Sequence, residues 1–195
     1  MKRLVCYGDS NTYGYDARDV FGGRLPADQR WTDILARELG ADVINCGLNG
    51  RTIPRYPRSL ENDLRLIRRC TPIDFLIVML GTNDILTDRE PEDSAADMAR
   101  LLYALGKELP AAETILCAPP MVSGLGEAYE ARIASLSEAY AQIAKELGLR
   151  FCGVSSWPIA LASDGVHFSP AGHRTFAEYL KKELMNDFDR ERKKP

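Results

Sequence analysis

Leu4-Val5-Cys6-Tyr7-Gly8-Asp9-Ser10-Asn11-Thr12-Tyr13-Gly14 is the stretch on which the reading of the whole chain turns. The run Arg3 to Tyr7 is short, apolar and stopped by a glycine, which suits a buried parallel strand better than a helix. Gly8 then turns the chain into a polar cluster. In an open parallel sheet, ligands bind in the crevice beyond the carboxyl ends of the strands, which makes Ser10 a candidate nucleophile. Gly-Asp-Ser-Asn is also ordinary turn chemistry, because these side chains bond back onto nearby backbone and cap a following helix. The choice between the two readings depends on residues far away in sequence.

Outward from this stretch the pattern repeats. Asp28 to Leu39 has helical spacing, with Trp31, Ile34, Leu35 and Leu39 on one face, and stops at Gly40. Asp42 to Cys46 reads as a second strand ending at Gly47-Leu48-Asn49-Gly50-Arg51-Thr52, and Leu60 to Cys70 as a helix. The strongest apolar run, Phe75 to Leu80, ends at Gly81-Thr82-Asn83-Asp84. Pro91 opens a helix carrying Met98, Leu101, Leu102 and Leu105 inward. Glu113 to Ala118 is a fourth strand, Glu127 to Leu147 a long helix, Arg150 to Val154 a fifth strand, and Pro170 begins the last helix. Alternation of this kind predicts a parallel sheet with helices on both faces and right-handed crossovers. The expected fold is α/β, a three-layer α/β/α flavodoxin-like sandwich with a five-stranded parallel sheet in the order 2-1-3-4-5.

The 195 residues, 45% of them hydrophobic, suffice for one good core, and no composition shift divides them. A single domain over 1–195 is expected, with a frayed charged tail at 189–195. A net charge of −3 leaves no basic stripe for nucleic acid. No apolar run approaches the ~20 residues of a membrane span, and Met1-Lys2-Arg3 leads directly into a strand. A cytoplasmic protein without nucleic-acid or membrane partners is therefore expected. Cys6, Cys46, Cys70, Cys117 and Cys152 show no ligand-like spacing with His167 or His173, so they read as buried thiols, with no metal site and no disulfide framework.

The residues that bear on Ser10 come late. Ser163-Asp164-Gly165-Val166-His167-Phe168-Ser169-Pro170 has an Asp three residues before a His, in a loop that Gly165 allows to be tight. A carboxylate there can hold one imidazole nitrogen and leave the other to take a proton. Asp164 turning the loop while His167 packs beside Phe168 is the competing reading. His173 has no acid three residues earlier and reads as structural. Ser10, His167 and Asp164 together make a nucleophile, a base and an orienting acid. The backbone N–H groups of Ser10 and Gly50 and the side-chain amide of Asn83 are suitable donors to an oxyanion, and Asn83 donates without titrating.

In these motifs the chain resembles the SGNH, or GDSL-type, hydrolase family of esterases and lipases. Gly8-Asp9-Ser10 matches the nucleophile block, Gly50 the oxyanion glycine, Gly81-Thr82-Asn83-Asp84 the oxyanion asparagine, and Asp164-Gly165-Val166-His167 the acid and base. The four blocks stand in order over nearly the whole chain. The resemblance implies ester hydrolysis through an acyl-enzyme on Ser10, with no cofactor, and structural roles for Asp9 and Asp84. Arg30-Trp31-Thr32, and Gly47-Leu48 followed by Arg51-Thr52, are similar to small bacterial arylesterases and acyltransferases. That likeness implies small-molecule substrates with short acyl groups and a homo-oligomeric assembly.

Trp31, Arg51 and Trp157 are candidate substrate contacts. The competing readings are aromatics tucked onto the core and an arginine engaged in salt bridges. Two other functions fit the same residues: acyl transfer to an alcohol or sugar in place of water, and a catalytically silent carbohydrate-binding protein on the same fold.

Overall fold

The apolar runs become strands β1 (Arg3–Gly8), β2 (Asp42–Gly47), β3 (Phe75–Met79), β4 (Glu113–Cys117) and β5 (Arg150–Cys152). The computed structural model describes residues 1–19 and 21–192, and among these the strands form one parallel sheet in the order β2-β1-β3-β4-β5, as the alternation predicts. Gly8 lies level with Gly47 on one side and Met79 on the other. The polar corners after β1, β2 and β3 thus leave the sheet at one edge.

Helices connect the strands: α1 (Ser10–Tyr13), α2 (Trp31–Leu39), α3 (Pro57–Arg68), α4 (Thr82–Leu86), α5 (Pro91–Glu108), α6 (Glu127–Leu147) and α7 (Pro170–Arg192). Successive strand side chains point to opposite faces, so each central strand feeds two cores. Leu4, Cys6, Phe75, Ile77 and Met79 pack with α2 and α7, whereas Val5, Tyr7, Leu76 and Val78 pack with α3, α5 and α6. Burial on both faces explains why these strands read as continuous apolar runs rather than alternating ones.

Several element boundaries differ from expectation, strand ends mostly by one residue, and β5 stops at Cys152, short of the expected Val154, because Val154–Ser156 forms a 3₁₀ turn. The helix expected from Asp28 begins at Trp31, because Ala27–Gln29 forms a separate 3₁₀ turn and Arg30 is extended. α3 begins at Pro57, ahead of its apolar stripe, with Ser59 Oγ accepting from Tyr56 N–H and donating to Tyr56 O. α4 occupies Thr82 to Leu86, where the sequence suggested only a polar corner. The five cysteines are free thiols, four buried and Cys46 half-buried. The chain's charged end continues α7 to Arg192, and 193–195, part of the expected frayed tail, lie outside the described residues. No helix among the described residues is long and apolar enough to cross a membrane.

Candidate active site

Ser10 opens the single-turn helix α1, which lies across the carboxyl ends of β1 and β2. Two glycines make that close approach possible. A Cβ on Gly47 would stand 2.2 Å from Tyr13 N and 2.6 Å from the carbonyl carbon of Thr12, and one on Gly8 would stand 2.1 Å from Thr12 Oγ1. Asp9 caps α1, its carboxylate accepting from Asn11 N–H at 2.9 Å. Asn45 of β2 holds the other end, donating to Thr12 O at 2.7 Å. Burial pushes the Asp9 carboxyl up to about 6, against the opposing pull of the Asn11 amide and nearby positive charge.

Asp164 and His167, the candidate acid and base, arrive on the loop before α7. Gly165 has φ +70, and a Cβ there would meet Ser123 O at 1.9 Å, so the tight turn requires glycine. Asp164 Oδ1 accepts from the backbone N–H groups of Val166 and His167, each at 3.0 Å. Its Oδ2 lies 2.6 Å from His167 Nδ1, and His167 Nε2 lies 3.0 Å from Ser10 Oγ. Partial burial works against the Asp164 anion, yet the hydrogen bonds from His167 and Val166 hold its carboxyl below the ordinary range. With Asp164 ionised, the Nδ1 proton faces it and Nε2 is left to take the serine proton.

Asn83 and Asp84, in the first turn of α4, grip the segment beyond β2. Asn83 Nδ2 donates to Arg51 O at 2.9 Å, and Asp84 accepts from Ile53 N–H at 3.1 Å while pairing with Arg89 at 3.2 Å. One amide hydrogen of Asn83 is engaged in this way, which leaves the second for a ligand. Gly50, in the segment they anchor, has φ +71 and open space around its Cα. Ser10, Gly50 and Asn83 therefore follow strand ends that lie level at one edge of the sheet.

The three candidate substrate contacts lie elsewhere. Trp31 is fully buried, donates Nε1–H to Asn11 O at 3.0 Å and packs on Phe176, so core packing and not substrate is its environment. The Arg51 side chain is 8% exposed; it turns inward to donate to Gly8 O and Cys46 O and lies over the Tyr7 ring at 4.5 Å. Its charge thus ties the ends of β1 and β2 together instead of meeting solvent. Trp157 packs on Phe176 and Tyr179 of α7. The aromatic ring at the site is that of Tyr15, 4.5 Å from the His167 ring. His173 is buried, accepts from Trp31 N–H, and is pushed down to about 3 by burial, which keeps it neutral.

Sequence reasoning missed Asn11 and Asn45. Asn11 looked like a turn residue and Asn45 like a strand residue, and their side-chain amides donate to partners remote in the chain, with no local pattern to reveal them. An apolar cavity of about 260 Å³, lined by Leu25, Ala162, Phe168 and Pro170 among others, flanks the base loop. A larger one of about 450 Å³, lined by Arg3, Asp42 and Asp74, lies at the opposite edge, where the strands begin, and bears no relation to Ser10.

The sequence model of the GDSL-like lipase/acylhydrolase family matches residues 6–175. Among solved structures, the native aryl esterase of M. smegmatis is 28% identical and superposes with a TM-score of 0.81 over 95% of this chain and 99% of that one. A carbohydrate acetylesterase family member from Sinorhizobium meliloti is 25% identical, with a TM-score of 0.78 over 95% of this chain and 100% of the other. A lipase/acylhydrolase from Enterococcus faecalis, 22% identical with a TM-score of 0.75 over 96% and 97% of the two chains, shares the fold. No curated protein matches the chain in sequence.

Proposed function

Because the chain belongs to the GDSL-like lipase/acylhydrolase family and is a carboxylic ester hydrolase, we propose that it cleaves short-chain acyl esters, acetyl to butyryl, through an acyl-enzyme on Ser10. The observation that carries this reading is the unbroken chain from Ser10 Oγ to His167 Nε2 at 3.0 Å and from His167 Nδ1 to Asp164 Oδ2 at 2.6 Å. Ser10 Oγ attacks the ester carbonyl as His167 takes its proton, an assistance typically worth ~10²–10⁴-fold. The negative charge moves onto the carbonyl oxygen, where Ser10 N–H, Gly50 N–H and the free Asn83 amide hydrogen receive it. Collapse of this intermediate expels the alcohol, which takes the proton from His167. Water then attacks the acyl-enzyme with His167 again as base, releasing the carboxylic acid and restoring Ser10. Asp164 holds the ring in the tautomer that both half-reactions need.

One observation supports short acyl groups: likeness to proteins described as an aryl esterase and a carbohydrate acetylesterase family member. The test is an assay of wild type and Ser10→Ala on p-nitrophenyl esters from acetate to decanoate, with and without a chelator and with an added alcohol. Chelator-insensitive turnover that is fastest on the short esters and lost with Ser10 is the expected result. Faster turnover of decanoate would refute the acyl preference, and activity retained by Ser10→Ala would refute the nucleophile. Acyl product on the alcohol in excess of free acid would make the protein a transferase, and inactivity on every ester would favour the silent carbohydrate binder.

A further inference from the structure

The backbone around His167 carries four polar groups, and all are bonded, in two different ways. Its own N–H donates to Asp164 Oδ1 at 3.0 Å and its own C=O accepts from Ala162 N–H at 2.7 Å, so both bonds stay within the loop. The flanking groups point the other way, toward α1. Val166 O accepts from Asn11 Nδ2 at 3.2 Å, and Phe168 N–H donates to Asn11 Oδ1 at 2.8 Å. The two bonds within the loop give it shape, but they do not say how far it stands from the nucleophile. The Asn11 bonds do, because Asn11 follows Ser10 directly on the same helical turn.

Asn11 is itself held on every side. It is 1% exposed, its N–H donates to Asp9 Oδ1, and its C=O accepts from Trp31 Nε1 at 3.0 Å. At the acid end of the loop, Ser123 N–H donates to Gly165 O at 2.9 Å. Val166 packs on one core and Phe168 on the other, and two sets of hydrogen bonds from outside the loop fix it further, the one nearest the base being made by the residue next to the nucleophile. We infer that Asn11 is a positioning residue: its side-chain amide brackets His167 from both sides and sets the distance from His167 Nε2 to Ser10 Oγ. The inference rests on the reading of Ser10 and His167 as nucleophile and base. A side-chain amide suits this task because it supplies one donor and one acceptor in a plane, matching the Val166 C=O and Phe168 N–H that flank His167. An apolar side chain in its place would leave Val166 O and Phe168 N–H without these partners, and the backbone at His167, still held by the packing of Val166 and Phe168, would shift relative to Ser10.

The test is steady-state hydrolysis of p-nitrophenyl butyrate by wild type, Asn11→Leu and Ser10→Ala, with folding followed by circular dichroism. Misplacement of reacting groups by about 1 Å can cost ~10²-fold, so Asn11→Leu is expected to lose about ten- to a hundredfold in kcat with KM within about twofold. The low-field proton resonance of the His167–Asp164 bond should persist in that variant, since the bond lies within the loop. Loss of folding would lower that signal and kcat together. Should Asn11→Leu not fold, Asn11→Asp, which keeps the acceptor for Phe168 N–H and removes the donor to Val166 O, is expected to show the same kcat loss. In wild type, the Phe168 amide should be protected from hydrogen exchange. A folded Asn11 variant with wild-type kcat, or a Phe168 amide that exchanges at the rate of an exposed loop, would overturn the inference. Wild-type activity in Ser10→Ala would instead remove the reading on which it rests.

Discussion

Asp9 stands between the strand and Ser10, is 2% exposed, and carries a carboxyl pushed up to about 6 by burial. A carboxyl whose folded value lies above its unfolded value of 3.8 binds more protons in the folded state, so its ionisation opposes folding as pH rises from about 4 through about 6. Asp9→Asn keeps the acceptor for Asn11 N–H and removes the charge. It should exceed wild type in urea resistance above pH 6 by up to about 3 kcal/mol, with the difference vanishing below pH 4. At the same scale, Asn83→Ala should lower kcat by on the order of 10²-fold with less effect on KM, because a donor to an oxyanion acts mainly in the transition state. The proposed roles of Ser10, Asn83, Asp164 and His167 come from short motifs legible in the sequence. For Trp31 and Arg51 the sequence offered substrate contact beside core packing or an engaged arginine, and it could not choose because residue type says nothing of direction; each turns inward.

Among the elements, α1 is the one on which the site depends, and a helix of one turn is not stable by itself. Its stability comes from the Asp9 cap, the Asn45 amide and the two glycines that let it rest on the strand ends. Gly47→Ala would force a Cβ against the backbone at Tyr13 and Thr12, atoms that cannot rotate away. A loss of about 1–3 kcal/mol in thermal or urea denaturation is expected, with a fall in kcat because the displaced turn carries Ser10. The long helices were readable from their period, as Met98, Leu101, Leu102 and Leu105 of α5 show by being buried together. α4 was not readable, since five residues are too few for a period and its start is defined by Gly81 at φ +125.

For the molecule as a whole, the two cores share the same strands, side chains of β1 and β3 going alternately to each. We therefore propose that residues 1–195 unfold as one unit, seen as coincident transitions by fluorescence and far-ultraviolet circular dichroism. His173 links this core to pH. It is neutral in the fold, pushed down to about 3 from an ordinary 6.5, so the unfolded chain gains the proton first and stability falls as pH drops from about 6.5 toward 3. The slope is about 1.4 kcal/mol per pH unit for this group, and His173→Gln should flatten it in urea titrations across that window. Between about pH 4 and 6 the Asp9 effect has the opposite sign, so the two are separated by their variants and not by wild type alone.

The sequence by itself determined the parallel sheet, its order and the helices on both faces, and it singled out Ser10, Asp164 and His167 as the proposed nucleophile, acid and base, because periodicity and short motifs are local properties of a chain. Only the tertiary structure decided that Trp31 and Arg51 are internal struts, that Tyr15 is the ring beside His167, and that Asn11 binds the backbone on both sides of a residue 156 positions away. Those assignments depend on the direction of side chains across the ends of β1 and β2, and direction is set by packing between segments that no local pattern relates.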